Sequence, residues 1–135
     1  MAAEIHSVPV SPIFIIFQGL SGTGKTSRIM AWAKENGISL IIENSATYPV
    51  LCKYLADGNS PESLYQNYYE KLNRTPDTFL FLDDYQSIPK IVMDFFDPII
   101  RYLSVPSSDN LISKRIPHLL GAVAAETTGC VYSKK

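Results

Sequence analysis

Apolar residues in this chain come in short blocks of two kinds, uninterrupted runs and runs broken at helical spacing, and the two kinds alternate. Ile13-Phe14-Ile15-Ile16-Phe17 is continuous and predicts a strand buried on both faces. Thr26 to Asn36 is rich in helix formers, with Ile29, Met30, Trp32 and Ala33 able to face a sheet and Gly37 placed to close the helix. Ile38 to Glu43 predicts a second strand, Asn44-Ser45 a loop, and Pro49 to Ala56 a short helix stopped by Asp57-Gly58. Ser60 as N-cap, Pro61 at the first helical position and Glu62 in the first turn open another helix, running to about Asn73. Thr78 to Leu82 predicts a third buried strand. Ser87 to Phe96 predicts a further helix with Pro89 near its start and a break or kink at Pro98, which lacks the donor for an interior turn. Ser104 to Arg115 is polar and loop-like, and His118 to Ala125 predicts a fourth strand.

Alternation of strand and helix implies an α/β fold of three layers with a mostly parallel sheet. At 135 residues the chain fits one core, assigned to residues 13–129, with an N-terminal extension at 1–12 and a tail at 130–135. Leu64, Tyr65, Tyr68, Tyr69 and Leu72 recur at helical spacing, and such a stripe is expected to face the core rather than to stack bases. Net charge is −1, which provides no global footprint for nucleic acid, and Lys114-Arg115 is read as a solvated pair. Charged residues make up only 19 %, which leaves room for a contact face. Cys52 and Cys130 form neither a metal pattern nor a disulfide framework and are expected to be reduced, as suits the cytoplasm. Met1 to Ser11 lacks the features of a signal peptide, and no apolar run is long enough to span a bilayer, so no membrane association is expected.

Chemistry enters between the first strand and the first helix. Gly19-Leu20-Ser21-Gly22-Thr23-Gly24-Lys25-Thr26 matches G-x-x-x-x-G-K-[ST] in full, directly after a strand and at the start of a helix. Gly19 and Gly24 let successive backbone N–H groups converge on an anion, and the helix adds its positive end. Leu20, Ser21, Gly22 and Thr23 fill the interior of the loop. Lys25 is expected to reach the β- and γ-phosphates of ATP, and the Thr26 hydroxyl to coordinate Mg²⁺. The alternative is a chance glycine-rich turn, which strand, loop, Lys-Thr and helix together disfavour.

A second site segment ends the third strand. Thr78-Phe79-Leu80-Phe81-Leu82 is followed by Asp83-Asp84, so two carboxylates emerge at the C-terminal edge of the sheet, where ligands of parallel α/β folds bind. Asp83 is assigned to the metal side. Asp84 takes the place from which a carboxylate orients or deprotonates an attacking water. The competing reading is a solvated strand end.

The order strand, phosphate loop, helix, strand, helix, acidic strand, helix, strand resembles the AAA+ P-loop ATPases. The resemblance is sharpest over Leu82-Asp83-Asp84-Tyr85-Gln86-Ser87-Ile88-Pro89-Lys90-Ile91-Val92-Met93-Asp94, which looks like the acidic strand and following helix of MoxR-type and phage-encoded members. It implies a polar residue, sensor 1, at the end of the next strand, touching the γ-phosphate or the attacking water. Ala124-Ala125-Glu126-Thr127-Thr128 fills that place, with Thr127 as the candidate and Thr128 in reserve, although the family commonly has Asn there. It also implies an arginine finger, a fifth strand and a helical lid after sensor 1, and neither Arg101 nor Arg115 can be assigned as a finger from its position. Slow hydrolysis is therefore expected unless a finger is supplied in trans, since such an arginine is worth about 10³ to 10⁵ in rate.

What this implies is Mg-dependent binding and hydrolysis of ATP, driving the remodelling of a protein or nucleic-acid client in a homo-oligomer. The setting would be the cytoplasm of a bacterium or of an infected host cell. Two alternatives stand beside it. A viral superfamily 3 helicase also pairs a phosphate loop with two acids, but the long interval from Lys25 to Asp83 and the weak basic character oppose it. A nucleotide-dependent binding module would switch partners, on ATP or ADP, without turnover. A small-molecule kinase is less favoured because no acceptor motif is evident.

Overall fold

A computed structural model describes residues 13–20, 24–75, 77–104 and 119–128. The expected positions Ser21, Gly22, Thr23, Lys114, Arg115, His118 and Cys130 lie outside the described residues, as do the terminal segments 1–12 and 130–135. Among the described residues, four strands and four helices follow one another as β1 (Ile13–Gly19), α1 (Lys25–Glu35), β2 (Ser39–Glu43), α2 (Tyr48–Ala56), α3 (Pro61–Arg74), β3 (Thr78–Leu82), α4 (Lys90–Ser104) and β4 (Leu119–Thr127). A short 3₁₀ turn, Tyr85–Ser87, links β3 to α4.

All strand pairings are parallel, in the order β1-β4-β3-β2. The last strand in sequence therefore inserts between the first and the third. Register carries this order to the sheet's C-terminal edge: Gly19 lies opposite Thr127, Leu82 opposite Ala124, and Glu43 opposite Leu82. Four strand ends, each leading into a loop or turn, thus meet along one edge.

Side-chain parity assigns the two faces. Phe79 and Phe81 point toward α1, where Phe81 packs with Ile29, Val123 and Ala125, and Phe79 with Ala33, Ile38 and Trp32. Trp32 meets Phe79 edge-on, with ring centroids 5.2 Å apart. Leu80 and Leu82 point the other way, into a larger cluster built by α2, α3 and α4 with Tyr48, Tyr65, Tyr68, Phe95 and Phe96. Small residues on β4 make room for these bulky neighbours. Gly121 is the tightest of them, because an added Cβ would lie 2.5 Å from the Ile13 carbonyl oxygen and 2.8 Å from the Phe79 ring.

Local signals explain most boundaries. Gly37, at φ +67°, ends α1, with the Ile38 N–H donating to the Ala33 carbonyl at 2.8 Å. The Ser60 hydroxyl accepts from the Glu62 N–H at 3.1 Å and caps α3, as its sequence implies. Leu64, Tyr65, Tyr68 and Leu72 are buried, so the tyrosine stripe is core. The expected break at Pro98 does not occur, for α4 continues through it to Ser104. Val92, Phe95, Phe96, Ile99 and Leu103 bury one face of α4, while Pro98 and Asp94, whose carbonyl loses its helical donor, lie on the exposed face. Water can take that carbonyl, and packing of the apolar face holds the helix together.

Candidate functional site

Gly24 sits at φ +78° and is the residue from which α1 departs; its carbonyl accepts from the Arg28 N–H at 2.9 Å. α1 begins at Lys25, and the first amides of a helix are the ones its own carbonyls cannot reach. Lys25 folds back over β1, its Nζ donating to the carbonyls of Leu20 at 2.9 Å and Gly19 at 3.2 Å. The ammonium is thereby held at the C-terminal end of β1.

Thr26, one residue on, points across the sheet edge. Its Oγ1 donates to Asp83 Oδ1 at 3.0 Å, joining the two motifs across 57 residues of sequence. Asp83 Oδ1 also accepts from the Asp84 N–H at 3.0 Å, and the Asp83 N–H donates to the Glu43 carbonyl at 2.9 Å. Asp84 is left-handed, at φ 49° and ψ 50°. Asp tolerates that conformation better than most residues, yet it costs about 1–2 kcal/mol, a strain of the kind found where chain direction serves a site. The turn brings the Asp84 carboxylate toward β2, where the Ser45 hydroxyl donates to its Oδ2 at 2.8 Å.

An open cleft of about 260 Å³ is lined by Gly24, Lys25, Thr26, Ser27, Asp83, Asp84, Ala125 and Thr127. Whole-ligand pockets run roughly 300–1,000 Å³, so this open, polar cleft has room for one end of a ligand of that size. Six of the expected site residues with described positions are accounted for: Lys25, Thr26, Gly24, Asp83, Asp84 and Thr127 line the cleft, whereas Gly19 ends β1 and Leu20 is exposed behind the lysine. Thr128 is tied to β1, its N–H donating to the Gly19 carbonyl at 2.9 Å, and does not line the cleft. Among the described residues no group of three or more His, Cys, Asp or Glu is arranged to hold a metal. No described helix is long and apolar enough to cross a membrane.

Beneath the cleft lies a buried polar layer that the motifs do not announce. Tyr48, 1 % exposed, donates its hydroxyl to the Asp83 carbonyl at 2.5 Å, with the Glu43 carbonyl 3.3 Å away. Burial, and then the charges of Glu43, Asp83 and Asp84, push the Tyr48 phenol well above its ordinary value. The buried Glu43 carboxylate accepts from the Tyr68 hydroxyl at 2.6 Å, and burial followed by that same carboxylate raises Tyr68 in turn. Both tyrosines therefore remain neutral donors and fix the ends of β2 and β3. Alternation along β2 puts Ile41 and Glu43 on one face, which is the sequence trace of Glu43 facing inward; Ser45 and Tyr48 leave no such trace.

No family model matches this chain, and no curated protein matches it.

Proposed function

We propose that this chain is a P-loop ATPase of AAA+ type, binding Mg·ATP in the cleft and hydrolysing it by in-line attack of water on the γ-phosphate. The observation that carries the reading is the 3.0 Å hydrogen bond from Thr26 to Asp83. A phosphate loop and an acidic strand end that are distant in sequence meet at one point, with β4 ending between them. Three layers, with α1 on one face and α2 to α4 on the other, support the fold assignment.

The donor set suits Mg²⁺. A hydroxyl and a carboxylate are hard oxygen ligands, and Mg²⁺ is commonly held by one or two carboxylates together with substrate phosphates rather than by an all-protein cage. Thr26 and Asp83 would hold it, and when bound it neutralises charge on the phosphate oxygens. The rest belongs to the chain. Lys25 and the first amides of α1 bind the β- and γ-phosphates. Asp84 accepts a proton from the water as its oxygen bonds to the γ-phosphorus, and the bond to the β-phosphate oxygen breaks, leaving its electron pair on ADP. Thr127, at the end of the inserted strand, is the polar group on the γ-phosphate side.

One observation favours a second reading, a switch that binds nucleotide without turnover. Ser45 already engages the Asp84 carboxylate that hydrolysis requires. Phosphate release from wild type and Asp84→Asn separates the two. An ATPase loses most of its turnover in the variant while retaining ATP affinity, since the amide cannot accept the proton. Nucleotide binding with no phosphate release from either protein would favour the switch.

The output proposed is remodelling of a protein or nucleic-acid client in a homo-oligomer. Its support is the exposure of Ile16 and Phe17 on β1, an edge strand among the described residues, and of Leu20 just beyond it.

A further inference from the structure

We infer that Gln86 is a positioning residue for hydrolysis, locking Thr127 to the acidic turn; this rests on the ATPase reading above. The β3–β4 ladder ends at Leu82 and Ala124, because β3 leaves the sheet through the left-handed turn at Asp84. β4 continues to Thr127. In a parallel ladder successive N–H groups point to opposite neighbours. The Thr128 N–H points to β1 and is taken by the Gly19 carbonyl, so the Thr127 N–H points to the side that β3 has vacated.

Gln86 fills that place. The Thr127 N–H donates to Gln86 Oε1 at 2.8 Å, and since the amide is a donor, the side-chain atom facing it is the oxygen. Gln86 lies in the 3₁₀ turn directly after Asp84, and that turn is closed by the Ser87 N–H donating to the Asp84 carbonyl at 2.8 Å. A single side chain therefore bridges the element that aims Asp84 and the strand end that carries Thr127. Gln86 itself does not line the cleft. Its effect passes through the relative placement of two groups that must meet one water and one phosphate, and an error of about 1 Å in such placement can cost about 100-fold.

Substitution by methionine keeps the length of the side chain and removes the acceptor; glutamate restores an acceptor oxygen at the same reach. On the opposite side of the β4 end, Gln18 Nε2 donates to Glu126 Oε1 at 2.7 Å, a bond from β1 to β4 in which the acidic turn takes no part, so Gln18→Met reports what loosening the strand end alone does.

Steady-state ATP hydrolysis, thermal melting and the amide resonance of Thr127 are measured for wild type, Gln86→Met, Gln86→Glu and Gln18→Met. The expected result is a kcat about 10- to 100-fold lower in Gln86→Met, with KM within about twofold. Gln86→Glu should recover most of the rate, and Gln18→Met should remain near wild type. The Thr127 amide should move upfield in Gln86→Met and return in Gln86→Glu, whatever the turnover. Equal kcat in wild type and Gln86→Met, or equal losses in Gln86→Met and Gln18→Met, overturns the inference. A wild type that releases no phosphate overturns the ATPase reading itself, and is told apart from the first outcome by the missing wild-type rate.

Discussion

Gly121→Ala is the sharpest test of the strand order on which the site depends. Gly121 lies opposite Ile13 on β1 and Phe79 on β3, and its added methyl would sit 2.5 Å from the Ile13 carbonyl oxygen, 2.8 Å from the Phe79 ring and 3.1 Å from Ile13 Cγ2. The phenyl ring can yield a little, but the carbonyl is fixed in the β1–β4 ladder. Restoring ordinary contact at about 3.5 Å requires β1 to retreat by about 1 Å. Overpacking of this kind costs about 1–3 kcal/mol. At this chain length each kcal/mol lowers Tm by about 3–5 °C, so a fall of about 3–15 °C is expected by differential scanning calorimetry. Gly58→Ala is the control, because nothing lies within 4 Å of the new methyl and only its φ of +90° opposes the change. Strain there should cost about 1–2 kcal/mol. A Gly121→Ala protein that melts within about 2 °C of wild type would show that β1 does not lie against β4 in this register, and the juxtaposition of Gly19 with Thr127 would fall with it.

Two further outcomes concern the layer beneath the cleft and the carboxylate that lines it. Tyr48 and Tyr68 ionise near pH 10 when unfolded and higher when folded, so the folded state holds their protons more tightly and stability should fall as pH rises above about 10. Tyr48→Phe removes one of these groups, and urea titrations between pH 8 and 11 should show a shallower alkaline loss than in wild type; an identical slope would refute the role of burial. On the ATPase reading the Ser45 hydroxyl orients the Asp84 carboxylate, so Ser45→Ala should lower kcat by about 3- to 10-fold at unchanged ATP affinity, while an unaltered or raised kcat would show that Ser45 occupies Asp84 without orienting it.

Elements whose signal is local in the chain were legible in it. The Ile13 to Phe17 run, the helix ended by Gly37, the Ser60-Pro61-Glu62 helix start and the Phe79 to Leu82 run each carry their signal within a few residues, and each forms the expected element. Pro98 misled because a proline's local cost is only one term; five buried residues on the opposite face of α4 outweigh it. Strand order was less accessible. Nothing within Leu119 to Thr127 states that it pairs with Ile13 to Gly19 on one side and Thr78 to Leu82 on the other, although its small residues suit a central position. The partners of the acidic turn were hidden for the same reason. Ser45, Tyr48 and Gln86 reach their contacts across 35 to 41 residues, and a polar side chain in a loop reads as solvated until the fold places something opposite it.

Calorimetric titration of Mg·ATP into wild type and Lys25→Ala tests most directly whether the loop ending in Lys25 and Thr26 binds a triphosphate. Wild type should bind one nucleotide per chain, more weakly when Mg²⁺ is chelated, and Lys25→Ala should show no measurable heat of binding while melting at the wild-type temperature in the absence of nucleotide. Equal ATP affinity in the two proteins would contradict the assignment of the site.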